Sequence, residues 1–176
     1  MEMDFSKKNL KATLLLGIGV IAIIVFLLIV WLIPSGSTID SAVETYKSGN
    51  VSQALDLFAE ARDKNQINTA EEWNIYGNVY RDNKHLPEAI EAYKKAIELD
   101  SGYETAYSNL AYVSVDLAEE EKNNQRIQQA IGIVEKGRKS HSKSVLLVED
   151  LIMLYGKVGD TAKVAELTAL RTELLK

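Results

Sequence analysis

Side chains able to do chemistry are few in this 176-residue chain. Its two histidines are His85, in Asp82-Asn83-Lys84-His85, and His141, in Lys139-Ser140-His141-Ser142-Lys143. Neither has a carboxylate or a second histidine at metal-ligand spacing. There is no cysteine, which removes disulfides, thiolate nucleophiles and zinc–thiolate sites without deciding the compartment. The serines lack the glycine pattern of a nucleophile elbow. No glycine-rich run leads into Lys-Ser or Lys-Thr at a helix start, as a phosphate loop requires. Glu119-Glu120-Glu121 lacks the Asp/Asn/Gly order of a calcium loop and reads as a solvated face. Beyond residue 33, basic residues number 17 and acidic residues 23, a balance that argues against nucleic acid. The residues thus indicate no catalytic group, metal, cofactor or small-molecule substrate, and the chain is expected not to be an enzyme. What remains is recognition by polar side chains that helices hold in place.

The helices are clearest over residues 73–103. Trp73, Tyr76, Gly77 and Tyr80 recur at intervals of three and four, and so do Ala89, Tyr93, Ala96 and Ile97, with Leu86 and Ile90 widening the second stripe. Apolar periodicity fails for one turn at residues 82–85, and Pro87 then sits where a helix begins. The pattern predicts two amphipathic helices folded on each other. Gly77 and Ala89 lack bulk where the backbones cross, and Trp73, Tyr80 and Tyr93 fill the remainder.

The same pattern recurs. Ala42, Tyr46, Ala54, Phe58 and Ala61 precede Gly77, Tyr80, Ala89, Tyr93 and Ala96 by 34 or 35 residues. Tyr107, Leu110 and Ala111 follow Trp73, Tyr76 and Gly77 by 34, whereas Ala130, Val134 and Gly137 follow Ala89, Tyr93 and Ala96 by 41. Seven residues are therefore inserted in the third unit. They fall at 119–125, where they either lengthen a helix or form a polar loop. In a fourth unit Val148, Leu151, Ile152 and Tyr155 repeat the first-helix places, Gly159-Asp160 repeats the turn at Gly49-Asn50, and Val164, Leu167 and Leu170 form the second stripe. Lys163, Glu166, Glu173 and Lys176 are expected to keep its outer side wet. A fixed period of this length is the mark of a stacked solenoid.

The set Trp73, Tyr76, Gly77, Tyr80, Ala89, Tyr93 and Ala96 resembles the tetratricopeptide repeat, with Ser101 where that family places a closing proline. The resemblance implies an all-α solenoid of about four helix-turn-helix repeats, near 38–69, 70–103, 104–142 and 143–176. It also implies that the first helices of successive repeats line a groove for a protein or extended peptide. Mapped through the register, the groove residues are Asn74, Asn78 and Arg81, then Ser108, Asn109 and Tyr112, then Glu149, Asp150 and Met153. An asparagine amide donates and accepts at once, which suits it to a peptide bond. The clamp with which some members grip a terminal carboxylate needs cations, and those places here hold Asn74, Leu146 and Asp150, so that clamp is not expected.

Residues 12–33 form an uncharged apolar run, ATLLLGIGVIAIIVFLLIVWLI. At 1.5 Å per residue this is roughly 33 Å of helix, enough for a hydrocarbon core about 30 Å thick, and it exceeds the core of a cleavable signal. A single transmembrane anchor in the lipid bilayer is expected there, after a polar leader at 1–11 and before a hinge at 34–37. Lys7, Lys8 and Lys11 keep the leader in the cytoplasm and put the repeats on the extracytoplasmic side. The expectation is a membrane-anchored adaptor or scaffold that helps assemble a membrane or cell-envelope complex; the alternative is a permanent structural subunit of a secretion, pilus or envelope machine.

Overall fold

A computed structural model describes residues 37–176. The expected leader at 1–11, the expected anchor at 12–33 and most of the expected hinge at 34–37 lie outside the described residues. Among the described residues no helix is long and apolar enough to cross a membrane.

Eight helices and no strand make up the described chain: α1 Thr38–Lys47, α2 Val51–Asp63, α3 Ala70–Asp82, α4 Leu86–Leu99, α5 Glu104–Glu121, α6 Gln125–Ser140, α7 Val145–Lys157 and α8 Thr161–Leu174. Each odd helix packs on the even helix that follows, and odd helices also lie side by side along the stack, whereas even helices do not meet one another. Local chemistry sets the boundaries. Ser37 with Asp40 opens α1, and Thr69 with Glu72 opens α3, each as a reciprocal pair in which side chains satisfy backbone N–H groups at the helix start. Pro87 stands in the first turn of α4, where no N–H partner is lost. Within all four pairs one residue of the connecting turn takes a positive φ: Gly49 at 87°, Lys84 at 65°, Lys122 at 52° and Gly159 at 78°. The outer pairs use glycine, which adopts this conformation freely, and the inner pairs hold a lysine in it.

Packing inside the pairs depends on glycine against tyrosine. A Cβ at Gly77 would overlap the Tyr93 ring, with Tyr93 Cδ1 at 2.6 Å, and a Cβ at Gly137 would stand 2.6 Å from Cε1 of Tyr107. The two contacts are crossed in sense. In α3–α4 the first helix carries the glycine and the second the ring; in α5–α6 the ring is on the first helix. Around Gly77, Tyr76 stacks on Phe58 at 5.0 Å between centroids and on Tyr80 at 4.3 Å. Tyr76, Tyr93, Ala89 and Ala96 are buried, while Trp73 and Tyr80 are only partly so and cover the rim of the cluster.

The insertion lengthens the two helices rather than the connection: of residues 119–125, 119–121 close α5 and Gln125 opens α6, while 122–124 form a turn of three residues like the one at 83–85. α5 has 18 residues where α3 has 13, and Ala130 is the sixth residue of α6 where Ala89 is the fourth of α4. The extra length of α5 is tied to α7 by Lys157 Nζ and Glu119 Oε1 at 2.6 Å. At the far end, α8 buries only Leu167. Glu166, Glu173 and Lys176 are exposed and Lys163 is partly so, and between them α8 also exposes the small residues Ala162, Ala165, Thr168, Ala169 and Thr172.

Two substitutions separate these effects in denaturant melts. Gly77→Leu should lose about 1–3 kcal/mol or more by overpacking against Tyr93, and an unchanged midpoint would remove the crossing from this account. Gly132→Ala, in α6 with open space around it, should gain about 0.5–1 kcal/mol from helix propensity.

Candidate partner-binding groove

The nine expected groove residues all lie on odd helices, and the structure divides them into two groups. Asn74, Ser108 and Asp150 are buried, at 4%, 9% and 2% exposure. They join neighbouring helices rather than face solvent. Asn109 Nδ2, from α5, donates to Asn74 Oδ1 of α3 at 2.8 Å, and Ser108 Oγ, also from α5, donates to Asp150 Oδ1 of α7 at 3.0 Å. The partners are 35 and 42 residues apart, and the difference is the seven-residue insertion. Both bonds occupy the same register, so together they form a polar ladder where odd helices meet.

The second group stays within reach of a ligand. Tyr112 is 55% exposed, Glu149 is exposed, and Arg81, Asn78, Asn109 and Met153 are partly so. Asn78 is fixed through its carbonyl: Oδ1 accepts from Tyr93 Oη at 2.9 Å and from Asn109 Nδ2 at 3.3 Å. Its Nδ2 makes no hydrogen bond among the described residues and remains a donor for a partner. Tyr93 Oη is the contribution that sequence reasoning missed, because the packing role of the ring masked the hydroxyl that orients Asn78. Burial of that phenol pushes its pKa far up, so it stays a donor. Glu149 meets Arg171 of α8 at 3.4 Å, and Arg81 meets Asp82 at 3.0 Å.

The insertion enlarges this face. Asp116, Glu119 and Glu120 of α5 stand across a polar cleft of about 570 Å³ from Arg81, Asp82 and Lys84. Both histidines contact neighbouring groups. His85 lies edge-on to Tyr80 at 6.2 Å, and His141 Nδ1 is 3.1 Å from the Gly137 carbonyl. Among the described residues no group of three or more His, Cys, Asp or Glu side chains could hold a metal.

Asp150 is the electrostatic exception. Its Oδ2 is buried without a hydrogen-bond partner among the described residues. Burial pushes its carboxyl up from 3.8 to about 6, against the pull of the Ser108 hydroxyl and with a smaller push from Glu149. A carboxyl whose folded pKa is raised binds its proton more tightly when folded. Its stabilising contribution is therefore complete below the unfolded value near 4 and lost as pH rises through about 6. Asp150→Asn keeps an acceptor for Ser108 and removes the buried charge. It should be more stable than the parent by up to about 3 kcal/mol at pH 7.5 and close to it at pH 4, at about 1.4 kcal/mol per pKa unit. Parallel melts at the two pH values test this, and a gap that did not depend on pH would contradict it.

Comparison with known proteins agrees with this geometry. A family model described as a TPR repeat matches residues 77–116. Among solved structures, a crystal structure of MamA protein superposes with a TM-score of 0.63 at 19% identity, over 78% of this chain and 70% of that one. TTC0263, a thermophilic TPR protein of Thermus thermophilus, gives 0.58 at 18% identity over 78% and 72%. YrrB, described as a TPR protein with an unusual peptide-binding site, gives 0.59 at 18% over 78% and 66%. A search of curated proteins finds no match. At these identities the structural likeness is one of fold. The chain carries a TPR repeat at residues 77–116, and its described residues form an eight-helix, all-α solenoid.

Proposed function

We propose that this chain is a membrane-anchored adaptor that holds a protein or extended peptide along its odd-helix face and so helps assemble a membrane or cell-envelope complex. The observation that carries the reading is the arrangement around Asn78. A buried tyrosine and a neighbouring asparagine hold its carbonyl, its N–H donors remain available, and Tyr112 stands exposed on the next odd helix. A preset amide donor beside an aromatic surface suits a peptide backbone, because the amide meets a carbonyl and the ring covers apolar atoms whatever the peptide sequence. That YrrB is described as having a peptide-binding site supports the same use of this fold.

The anchor belongs to the proposal through sequence alone. Residues 12–33 are apolar and uncharged, and the three lysines before them favour a cytoplasmic leader with extracytoplasmic repeats. Tethering at the bilayer raises the effective concentration of the groove for other membrane proteins, so a weak contact suffices to recruit them. A second reading, a permanent structural subunit, is favoured by the small-residue side of α8 and by Leu175, which is 66% exposed. Such a surface admits close packing of a further helix.

Photo-crosslinkers placed at Tyr112 and at Ala165 of the full-length chain in intact membranes distinguish the two. The adaptor reading expects a protein adduct from position 112. That adduct should fall several-fold with Asn78→Asp, which keeps the acceptor for Tyr93 and Asn109 and removes the N–H donors. Adducts from position 165 alone would favour the subunit. The anchor predicts that the chain stays with membranes through an alkaline carbonate wash, and its release would sink that part of the proposal.

A further inference from the structure

The other face of α3 carries a feature that the groove does not use. Between the even helices α2 and α4, which do not touch, lies a cleft of about 410 Å³. Its accessible floor is Trp73 and Tyr80, backed by the buried Tyr76, and Pro87 of α4, with the buried Ala92 behind it, forms an apolar wall. The floor is rigid. Tyr76 is stacked between Phe58 and Tyr80, its hydroxyl lies 2.6 Å from that of Tyr80, and the Trp73 ring sits 6.0 Å from its own. A surface fixed in this way needs no reordering to receive a ligand.

Two properties select the occupant. The first is that the accessible lining is mostly apolar, with its acceptors confined to the Glu88 and Glu91 carboxylates at the mouth, so an ordinary peptide laid over the rings would turn backbone N–H groups toward a surface without acceptors. Proline has no N–H, and an extended proline-containing segment is already held in its bound form, with flat ring faces for aromatic contact. The second is charge. Of the four charged residues at the mouth, Arg62 pairs with Asp63 at 2.9 Å, Lys95 with Glu98 at 2.6 Å, and Glu91 with Lys94 at 2.7 Å. Glu88 has no ion-pair partner among the described residues, which leaves one uncompensated negative charge beside the apolar floor.

We propose that the cleft between α2 and α4 is a second docking site, and that it takes an extended proline-containing segment of a partner protein with an arginine or lysine next to the prolines. The prolines lie over Trp73 and Tyr80, and the cation meets Glu88. The chain thereby holds two partners at once, on opposite faces of α3.

Full-length protein in detergent, with Trp31→Phe so that Trp73 is its one indole, is titrated with a capped Pro-Pro-Arg-Pro-Pro peptide. Two control peptides replace the arginine by glutamate or all prolines by alanine. The expected result is a saturable change in Trp73 emission with the arginine peptide, binding weaker by roughly fivefold for the glutamate control, about what one exposed ion pair contributes, and no saturable response with the alanine control, which keeps the cation but lacks the prolines. Glu88→Lys, an exposed change, should weaken the arginine peptide by at least as much, while Asn78→Asp and Tyr112→Ala leave it unaltered. The proposal is overturned by no saturable response at millimolar peptide, by equal binding of the acidic peptide, by indifference to Glu88→Lys, or by loss of the response in the Tyr112→Ala variant. Because the groove variants are scored separately, failure here leaves the odd-helix reading standing, and the reverse holds too.

Discussion

The close approach of paired helices at glycine is the constraint from which the other features of this protein follow. At Gly77 the α3 backbone lies directly under the Tyr93 ring, and at Gly137 the α6 backbone lies under Tyr107. An α-helix presents a cylinder of side chains to its neighbour, so removing one side chain lets a flat ring seat against backbone and fixes where the two axes cross. With one crossing fixed in each of the inner pairs, a pair behaves as a unit, and stacking of units then sets the spacing of the odd helices. Reversing which helix supplies the glycine leaves that outcome intact, because the ring and the gap only have to face each other.

Once the odd helices are at fixed spacing, their shared faces come under a polar rule. Asn74 with Asn109, and Ser108 with Asp150, sit where successive odd helices touch, and a buried amide or carboxyl there must find a partner or raise the free energy. The ladder joins layers by direction as well as by contact, since hydrogen bonds fix geometry that apolar packing alone leaves loose. Its last rung is imperfect. Asp150 leaves one oxygen unmet and shifts its own protonation as the cheapest response to burial. The layer between α5 and α7 therefore carries a pH-dependent term.

Two unlike surfaces lie on the same helix. Around the circumference of α3, Asn78 and Arg81 look towards the odd-helix face, and Trp73 and Tyr80 look into the gap between even helices. The gap exists because odd helices touch their successors while even helices stay apart. The odd-helix face is polar, with free amide donors and acidic side chains on the lengthened α5; the gap is aromatic, with a single residual charge at its mouth. The fold thus offers unlike chemistry on two sides of one element.

Much of the fold was legible because periodicity survives in the chain. The spacing of Trp73, Gly77, Ala89 and Ala96 specified helix pairs, and the 34-residue offset to Tyr107 and Ala111 specified their repetition, since apolar residues at helical intervals have few other ways to leave water. The insertion of seven was visible as an offset, but its form was not: the offset alone does not say whether the extra residues extend α5 and α6 or the turn between them, and the structure gives them to the helices, with Lys157 of α7 meeting Glu119 on the added length. The register likewise assigned the candidate groove residues to the odd helices, yet their exposure was decided in three dimensions. Asn74, Ser108 and Asp150 look like surface polar residues in a linear reading. They are buried because the neighbouring odd helix arrives over them, and that approach is set by contacts 35 and 42 residues away. Sequence by itself determined which side chains share a face, a matter of local helical geometry. Tertiary structure alone decided which of those faces another helix would cover, because that is settled by partners far along the chain.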